Sequence, residues 1–277
     1  MQTITSISGG KTSAYLAANY PADYFVFALV RSNDKKIAFK DRILAKQVED
    51  RIGCEFIATV EDDVIINTIF DLELISGKEI KWVTGPTFED LIASRGGYLP
   101  NMSSRYCTTH LKIEPIFNWW RESFNEPVIM NIGYRANETE RAERFLEKCD
   151  SNKLESFRAI VGKSKDGNRN KWAEIKWRTP QFPLIEDQIF KDDVESFWMD
   201  KNVRFARRNN CVGCFHRNGA ALRQMFEYQP EKMQWFANME RPKSRWRKDV
   251  NYQKVINLPL QSSFNFEDIV CDGECGT

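Results

Sequence analysis

Histidine is scarce in this chain: 277 residues carry two, His110 and His216. A Ser-His-Asp hydrolase or a histidine-rich metal site would have to use one of them, and neither stands in a nucleophile-elbow setting. Long apolar runs are also missing. No window approaches the roughly eighteen consecutive apolar residues of a membrane span, so no membrane association is expected. The N-terminus runs straight into a strand-like segment without a basic and then apolar leader, which predicts a cytoplasmic protein with no secretory signal. Charge bias is absent as well, with 40 Lys and Arg against 39 Asp and Glu, a net +1 that by itself predicts no polyanion partner. There is no internal repeat and no low-complexity segment. What is present is 42% hydrophobic and 13% aromatic residues, ample for a packed core in one large domain, or in one domain plus an accessory unit.

The most informative segment is Ser8-Gly9-Gly10-Lys11-Thr12-Ser13, between the alternating run Gln2 to Ile7 and the helix-like Ala14-Tyr15-Leu16-Ala17-Ala18. Adjacent glycines let the backbone turn tightly off a strand with its N–H groups exposed, and the following helix directs its partial positive end at an anion. Lys11 adds a full charge, and Ser8, Thr12 and Ser13 add hydroxyls. A Walker loop separates its first glycine from its Gly-Lys-Ser/Thr end, whereas Gly9 and Gly10 touch, so that motif is excluded.

Short apolar runs alternate with amphipathic stretches, the pattern of an α/β fold with a parallel sheet and helices on both faces. Strands are expected at Thr3–Ile7, Tyr24–Val30, Glu55–Val60 and Val128–Gly133. Helices are expected at Lys11–Asn19, Lys40–Ile52, Phe88–Arg95, Ile113–Ser123 and Glu138–Glu147. Phe157–Val161 and Trp172–Trp177, with Asp166-Gly167 between them, predict a hairpin that decorates the sheet rather than extending it. After residue 186 the composition turns aromatic, charged and helical, which divides the chain into an α/β domain over 1–186 and a smaller helical unit over 187–277. Residues 201 to 250 hold twelve Lys or Arg against four Asp or Glu, a local excess of +8. That block is either a solvated helical face or a surface for nucleic acid.

Seven cysteines, an odd number, argue against a simple disulfide framework in a reducing compartment. Cys54 and Cys149 read as structural. Cys211-Val212-Gly213-Cys214 is a C-x-x-C loop whose sulfurs can hold one metal, with Gly213 allowing the turn. A four-thiolate zinc site from Cys211, Cys214, Cys271 and Cys275 is one use of the set.

Ser8 to Ser13 resembles the SGGxDS signature of the PP-loop superfamily, the adenine nucleotide alpha hydrolases. Gly133-Tyr134-Arg135-Ala136-Asn137-Glu138-Thr139, continuing to Arg141 and Arg144, resembles the G-x-R-x-x-E-x-x-R block of phosphoadenosine-phosphosulfate (PAPS) reductases. Cys107 to Pro115 is similar to the same family's cysteine-x-x-x-Lys-x-x-Pro segment, and Trp177 to Pro180, Pro183-Leu184 and Asp193-Val194 resemble its later elements. The resemblance covers residues 1 to about 217. It implies a Rossmann-like sheet with an adenine nucleotide across the strand ends. Ser8 to Ser13, Gly133, Arg135, Glu138 and Arg144 would then contact the nucleotide.

The resemblance also implies a [4Fe–4S] cluster on Cys107, Cys211 and Cys214. The family's adjacent cysteines are replaced by Tyr106-Cys107, so a fourth ligand falls to Cys271, Cys275 or His216, or one iron is left open. Glu274-Cys275-Gly276 looks like the mobile tail whose thiolate attacks the nucleotide's sulfur, with a thioredoxin-like dithiol as reductant. Thr12 departs from the Asp that helps ATP-using members hold Mg²⁺, which favours a sulfonucleotide (PAPS or its 3′-dephospho form, APS) over ATP unless Glu138 carries the metal.

Three functions follow as expectations: sulfonucleotide reduction, ATP-dependent sulfur transfer to nucleic acid, and nucleotide binding by a non-catalytic accessory protein. A homo-oligomer is compatible with each.

Overall fold

The computed structural model describes residues 1–164 and 167–260. It is an α/β architecture built on a six-stranded, mostly parallel sheet flanked by helices. The strands in chain order are β1 (Thr3–Ile7), β2 (Tyr24–Leu29), β3 (Arg31–Ser32), β4 (Ala58–Thr59), β5 (Ile80–Thr84), β6 (Val128–Asn131), β7 (Glu155–Lys163) and β8 (Asn170–Gln181). Six of them form the main sheet in the order β5-β2-β1-β6-β8-β7, parallel throughout except for the antiparallel β7–β8 pair.

The helices are α1 (Lys11–Asn19), α2 (Arg42–Ile52), α3 (Val64–Ser76), α4 (Phe88–Ser94), the short α5 (Tyr106–Thr108), α6 (Glu114–Ser123), α7 (Thr139–Leu146), α8 (Pro183–Glu186), α9 (Lys191–Trp198), α10 (Gly219–Tyr228), α11 (Pro230–Met239) and α12 (Tyr252–Val255).

Alternation along β2 explains the layers. Phe25, Phe27 and Leu29 pack with Ala14 and Ala17 of α1, Val48 of α2, Ile66 and Ile69 of α3, and Val194 and Trp198 of α9. Val26 and Ala28 face the other way, onto Ile116, Phe117 and Trp120 of α6 and Ala142 of α7. Successive strand residues point to opposite faces, so a strand buried on both must be apolar throughout. Residues beyond 186 join these layers. Phe215, Leu222, Phe226, Trp235 and Trp246 share a third core with Val30, Val60, Phe88 and Leu111.

Two expectations are corrected. The hairpin does extend the sheet: Val128 to Asn131 of β6 pair in parallel with Arg178 to Gln181 of β8, so β8 is a sheet strand and β7 its edge. The run from Glu55 to Val60 yields two strand residues, paired with β3 outside the main sheet. Its apolar character comes from burial of Ala58 and Val60 in the third core. β5 and α3 were not anticipated.

From β1 the chain proceeds to β2 and β5 on one side and later returns to β6 on the other. This reversal puts a crevice at the carboxyl ends of β1 and β6, where open α/β sheets bind ligands.

Candidate functional site

The segment Ser8 to Ser13 turns at this crevice. Gly9 has φ +74°, a left-handed conformation, and a Cβ there would lie 2.6 Å from Ile65 Cγ2. Only glycine meets both conditions. Gly10 caps α1 in an extended conformation with no side-chain cap, and the first turn holds no acidic residue. The amides at this helix start therefore face the crevice under the positive end of the helix dipole. Ser13 closes the loop from within. Its Oγ accepts from Ser8 N–H at 3.0 Å and donates to the Gly10 carbonyl at 3.1 Å, and it lies 3.1 Å from Ser8 Oγ.

Lys11 is ion-paired with Glu195 of α9, and Trp198 Nε1 donates to the Lys11 carbonyl at 3.0 Å. The paired side chains are 39% and 42% exposed. Such a pair is worth about 0–1 kcal/mol, less than the charge-assisted bonds a phosphate would offer Lys11. Glu195 is thus a displaceable partner. Thr12 lies in the same first turn, and a Cβ on Gly133 would approach Thr12 Cγ2 to 3.6 Å and Ser13 Cα to 3.7 Å. The stretch after β6 therefore runs directly against the start of α1.

That stretch carries Arg135 and Glu138. Glu138 accepts from the Arg135 N–H at 2.9 Å, from Arg135 Nε at 3.0 Å and from Arg141 Nη1 at 2.7 Å. Burial would raise its carboxyl, yet the Arg135 amide and the Arg135 and Arg141 charges hold it below its ordinary value. The carboxylate is committed to two arginines rather than presented to a metal. Arg144 Nε donates to the Glu140 carbonyl at 3.3 Å, one turn along α7.

Asn209 joins this loop to the cysteines. Its Nδ2 donates to Ser8 Oγ at 3.2 Å, and a Cβ on Gly10 would come within 2.6 Å of that nitrogen. Asn210 follows with φ +70°, a left-handed turn that asparagine tolerates better than most residues. Cys107, Asn210, Cys211 and Cys214 then line one largely apolar cavity, walled by Phe88, Phe236 and Trp246 and edged by Lys112.

The C-x-x-C turn is closed by Cys214 N–H donating to the Cys211 carbonyl at 3.1 Å. Gly213 is required there because a Cβ would lie 2.3 Å from Phe236 Cγ. Tyr252 donates to the Gly213 carbonyl at 3.2 Å, and burial, with Cys214 adding to it, lifts its phenol well above the ordinary value. Tyr106 is pushed up to about 12 by burial and by Cys107.

One cation lies at the cysteine turn and another at the cavity edge. Arg217, itself buried, donates to the Asn209, Cys211 and Val212 carbonyls. Lys112 Nζ bonds the buried Glu61 at 2.9 Å. Soft sulfur donors suit a thiolate-held metal, yet Cys107, Cys211 and Cys214 are not gathered into a three-ligand group. Among the described residues, no three His, Cys, Asp or Glu side chains converge at ligating distance. Cys271 and Cys275 lie outside the described residues.

Five of the twelve cations in the basic block over 201–250 are engaged within the protein in the following ways. Arg204 pairs with Asp71, Arg223 with Glu227, Lys232 with Asp63 and Arg247 with Asp249, while Arg217 is spent on carbonyls. Asn209, Glu195 and Trp198 were not anticipated at the loop. Each contacts it from nearly two hundred residues away, and no periodicity marks such a residue. No described helix is long and apolar enough to cross a membrane. No protein-family model, no curated protein and no solved structure matches the chain.

Proposed function

We propose that the chain is an adenine-nucleotide enzyme of the PP-loop, PAPS-reductase type, acting on a sulfonucleotide whose sulfur end faces the thiol cavity. The observation that carries this reading is the short link from Ser8 through Asn209 to Cys211, which joins an anion cradle to a thiol-lined pocket. A nucleotide anchored at the cradle would present its reactive end toward sulfur chemistry. The Rossmann-like reading of the sheet belongs to the same proposal.

In this account the amides at the start of α1 and the Ser8 hydroxyl hold anionic oxygens, and Lys11 leaves Glu195 to join them. The Arg135 plane is fixed by Glu138 for further anionic contacts. The Cys275 thiolate attacks the sulfuryl sulfur, and the bonding pair leaves on the nucleotide's 5′-phosphate, releasing the adenosine bisphosphate from PAPS or the monophosphate from APS. The resulting S-sulfocysteine is resolved by a dithiol reductant, which becomes a disulfide as sulfite departs. Cys107, Cys211 and Cys214 would hold a [4Fe–4S] cluster or zinc, and such a centre would supply positive charge to the sulfur chemistry.

The test is calorimetric titration of anaerobically purified protein with PAPS, APS and Mg²⁺–ATP, followed by a sulfite assay with a thioredoxin. Binding and sulfite release that depend on Cys275 support reduction. Binding of Mg²⁺–ATP alone would move the reading to ATP-dependent sulfur transfer, and binding without turnover to an accessory role.

A further inference from the structure

The β7–β8 hairpin continues past the sheet it belongs to. β6 begins at Val128, opposite Arg178, so β8 residues before 178 run beyond the amino ends of the parallel strands. Trp172 stands about 20 Å out along the strand from Arg178, at roughly 3.3 Å per residue. This is the end of the sheet away from the Ser8 loop.

The outer hairpin is basic and aromatic. Residues 158–172 hold five cations, Arg158, Lys163, Lys165, Arg169 and Lys171, against one acid, Asp166, and Arg158, Lys163, Arg169 and Lys171 are exposed. Register sets Ile160 directly opposite Trp172, and Arg158 opposite Glu174, on one face of the ribbon. Trp172 is 53% exposed there, with the Arg158 guanidinium 5.6 Å from its ring centroid. Core packing does not need this indole. The other face supplies Phe157, which stacks on Phe117. Of the acidic residues on the strands, Glu155 lies at the root, where it binds Arg178, and Glu174 stands opposite Arg158.

We propose that this outer ribbon docks single-stranded nucleic acid, with Trp172 as the stacking platform and Arg158 and Lys163, which share its face, and Arg169 at the turn along the phosphates. A flanked, exposed aromatic is what an unpaired base requires, whereas an acidic peptide would use the cations alone. The ribbon is remote from the Ser8 loop, so this inference does not rest on the nucleotide reading. Docking here would tether a strand to the protein.

The full chain is titrated against a fluorescein-labelled oligothymidylate by anisotropy over a series of salt concentrations. Saturable binding is expected. Trp172→Ala should weaken it about fivefold or more, the loss of one stacked base, and Trp172→Phe should restore most of it. The pair Lys163→Glu and Arg169→Glu should lower the logarithmic salt slope by about 1.4, at roughly 0.7 per single-strand phosphate contact. Unchanged thermal unfolding and nucleotide binding in these variants would keep the effect on the ribbon. Absence of binding, equal binding by Trp172→Ala, or competition by polyglutamate as strong as by the oligonucleotide would each overturn the proposal.

Discussion

Asn209 donates to Ser8 across 3.2 Å, and two residues later Cys211 lines the thiol cavity. The Ser8 loop and the thiol cavity are therefore physically linked, because Gly10, with no Cβ, lets the Asn209 amide pack against the loop. Asn209→Ala should lower affinity for an adenine nucleotide by about tenfold, one hydrogen bond to a charged or anion-facing group. It should also change the rate at which Cys211 reacts with a thiol reagent. Calorimetry and thiol-labelling kinetics check the two effects, and an effect on neither would break the link.

Lys11 is ion-paired with Glu195. Glu195→Gln should raise nucleotide affinity several-fold, since the exposed ion pair contributes only about 0–1 kcal/mol and its loss leaves Lys11 for phosphate. The gain should shrink at high salt. Lys11→Ala should abolish it, as titration of the double variant will read.

Glu138 gives a pH dependence with a definite sign. Its folded-state carboxyl lies below the ordinary 4.5, so the folded state releases this proton more readily than the unfolded chain. The stabilisation is therefore fully present above about 4.5 and is lost as pH falls through the folded value. Glu138→Gln should cost about 1.5–3 kcal/mol at neutral pH, the worth of hydrogen bonds to a charged group. It should also flatten the acid limb of stability measured by urea unfolding.

Gly213 sits under the Phe236 ring. Gly213→Ala should destabilise the protein by about 1–3 kcal/mol through overpacking and displace Cys214 from the cavity. Thermal unfolding measures the first effect. Loss of bound iron or zinc, read by elemental analysis, measures the second.

The sequence reveals those parts of the fold and site in which neighbouring residues act together. Thr3 to Ile7 alternates and ends at a glycine pair, and strand and loop lie where that pattern places them. Cys211 and Cys214 share a turn, so their common cavity could be expected. Contacts across the chain are different. Asn209 is a polar loop residue with no pattern to mark it, and Glu195 resembles any helix-surface acid.

Element boundaries failed for physical reasons. Ile80-Lys81-Trp82-Val83-Thr84 has an exposed lysine inside a short strand, which hides it. The β-branched residues of Val64 to Ser76 obscure a helix that tertiary burial stabilises. No feature of the hairpin's sequence marks the pairing of β8 with β6, and Trp177 to Pro180 carries a proline. That proline pairs opposite Met130 within β8 all the same.

The central claim is that an adenine sulfonucleotide binds at Ser8 to Ser13 with its sulfur toward Cys107, Cys211 and Cys214. The most direct test is titration of anaerobically purified protein with adenosine phosphosulfate while heat and visible absorption are followed together. The account predicts saturable binding that perturbs the absorption of a thiolate-held centre and is lost in Ser8→Ala with Lys11→Ala. Binding that survives those substitutions, or no binding of any adenine nucleotide, would contradict it.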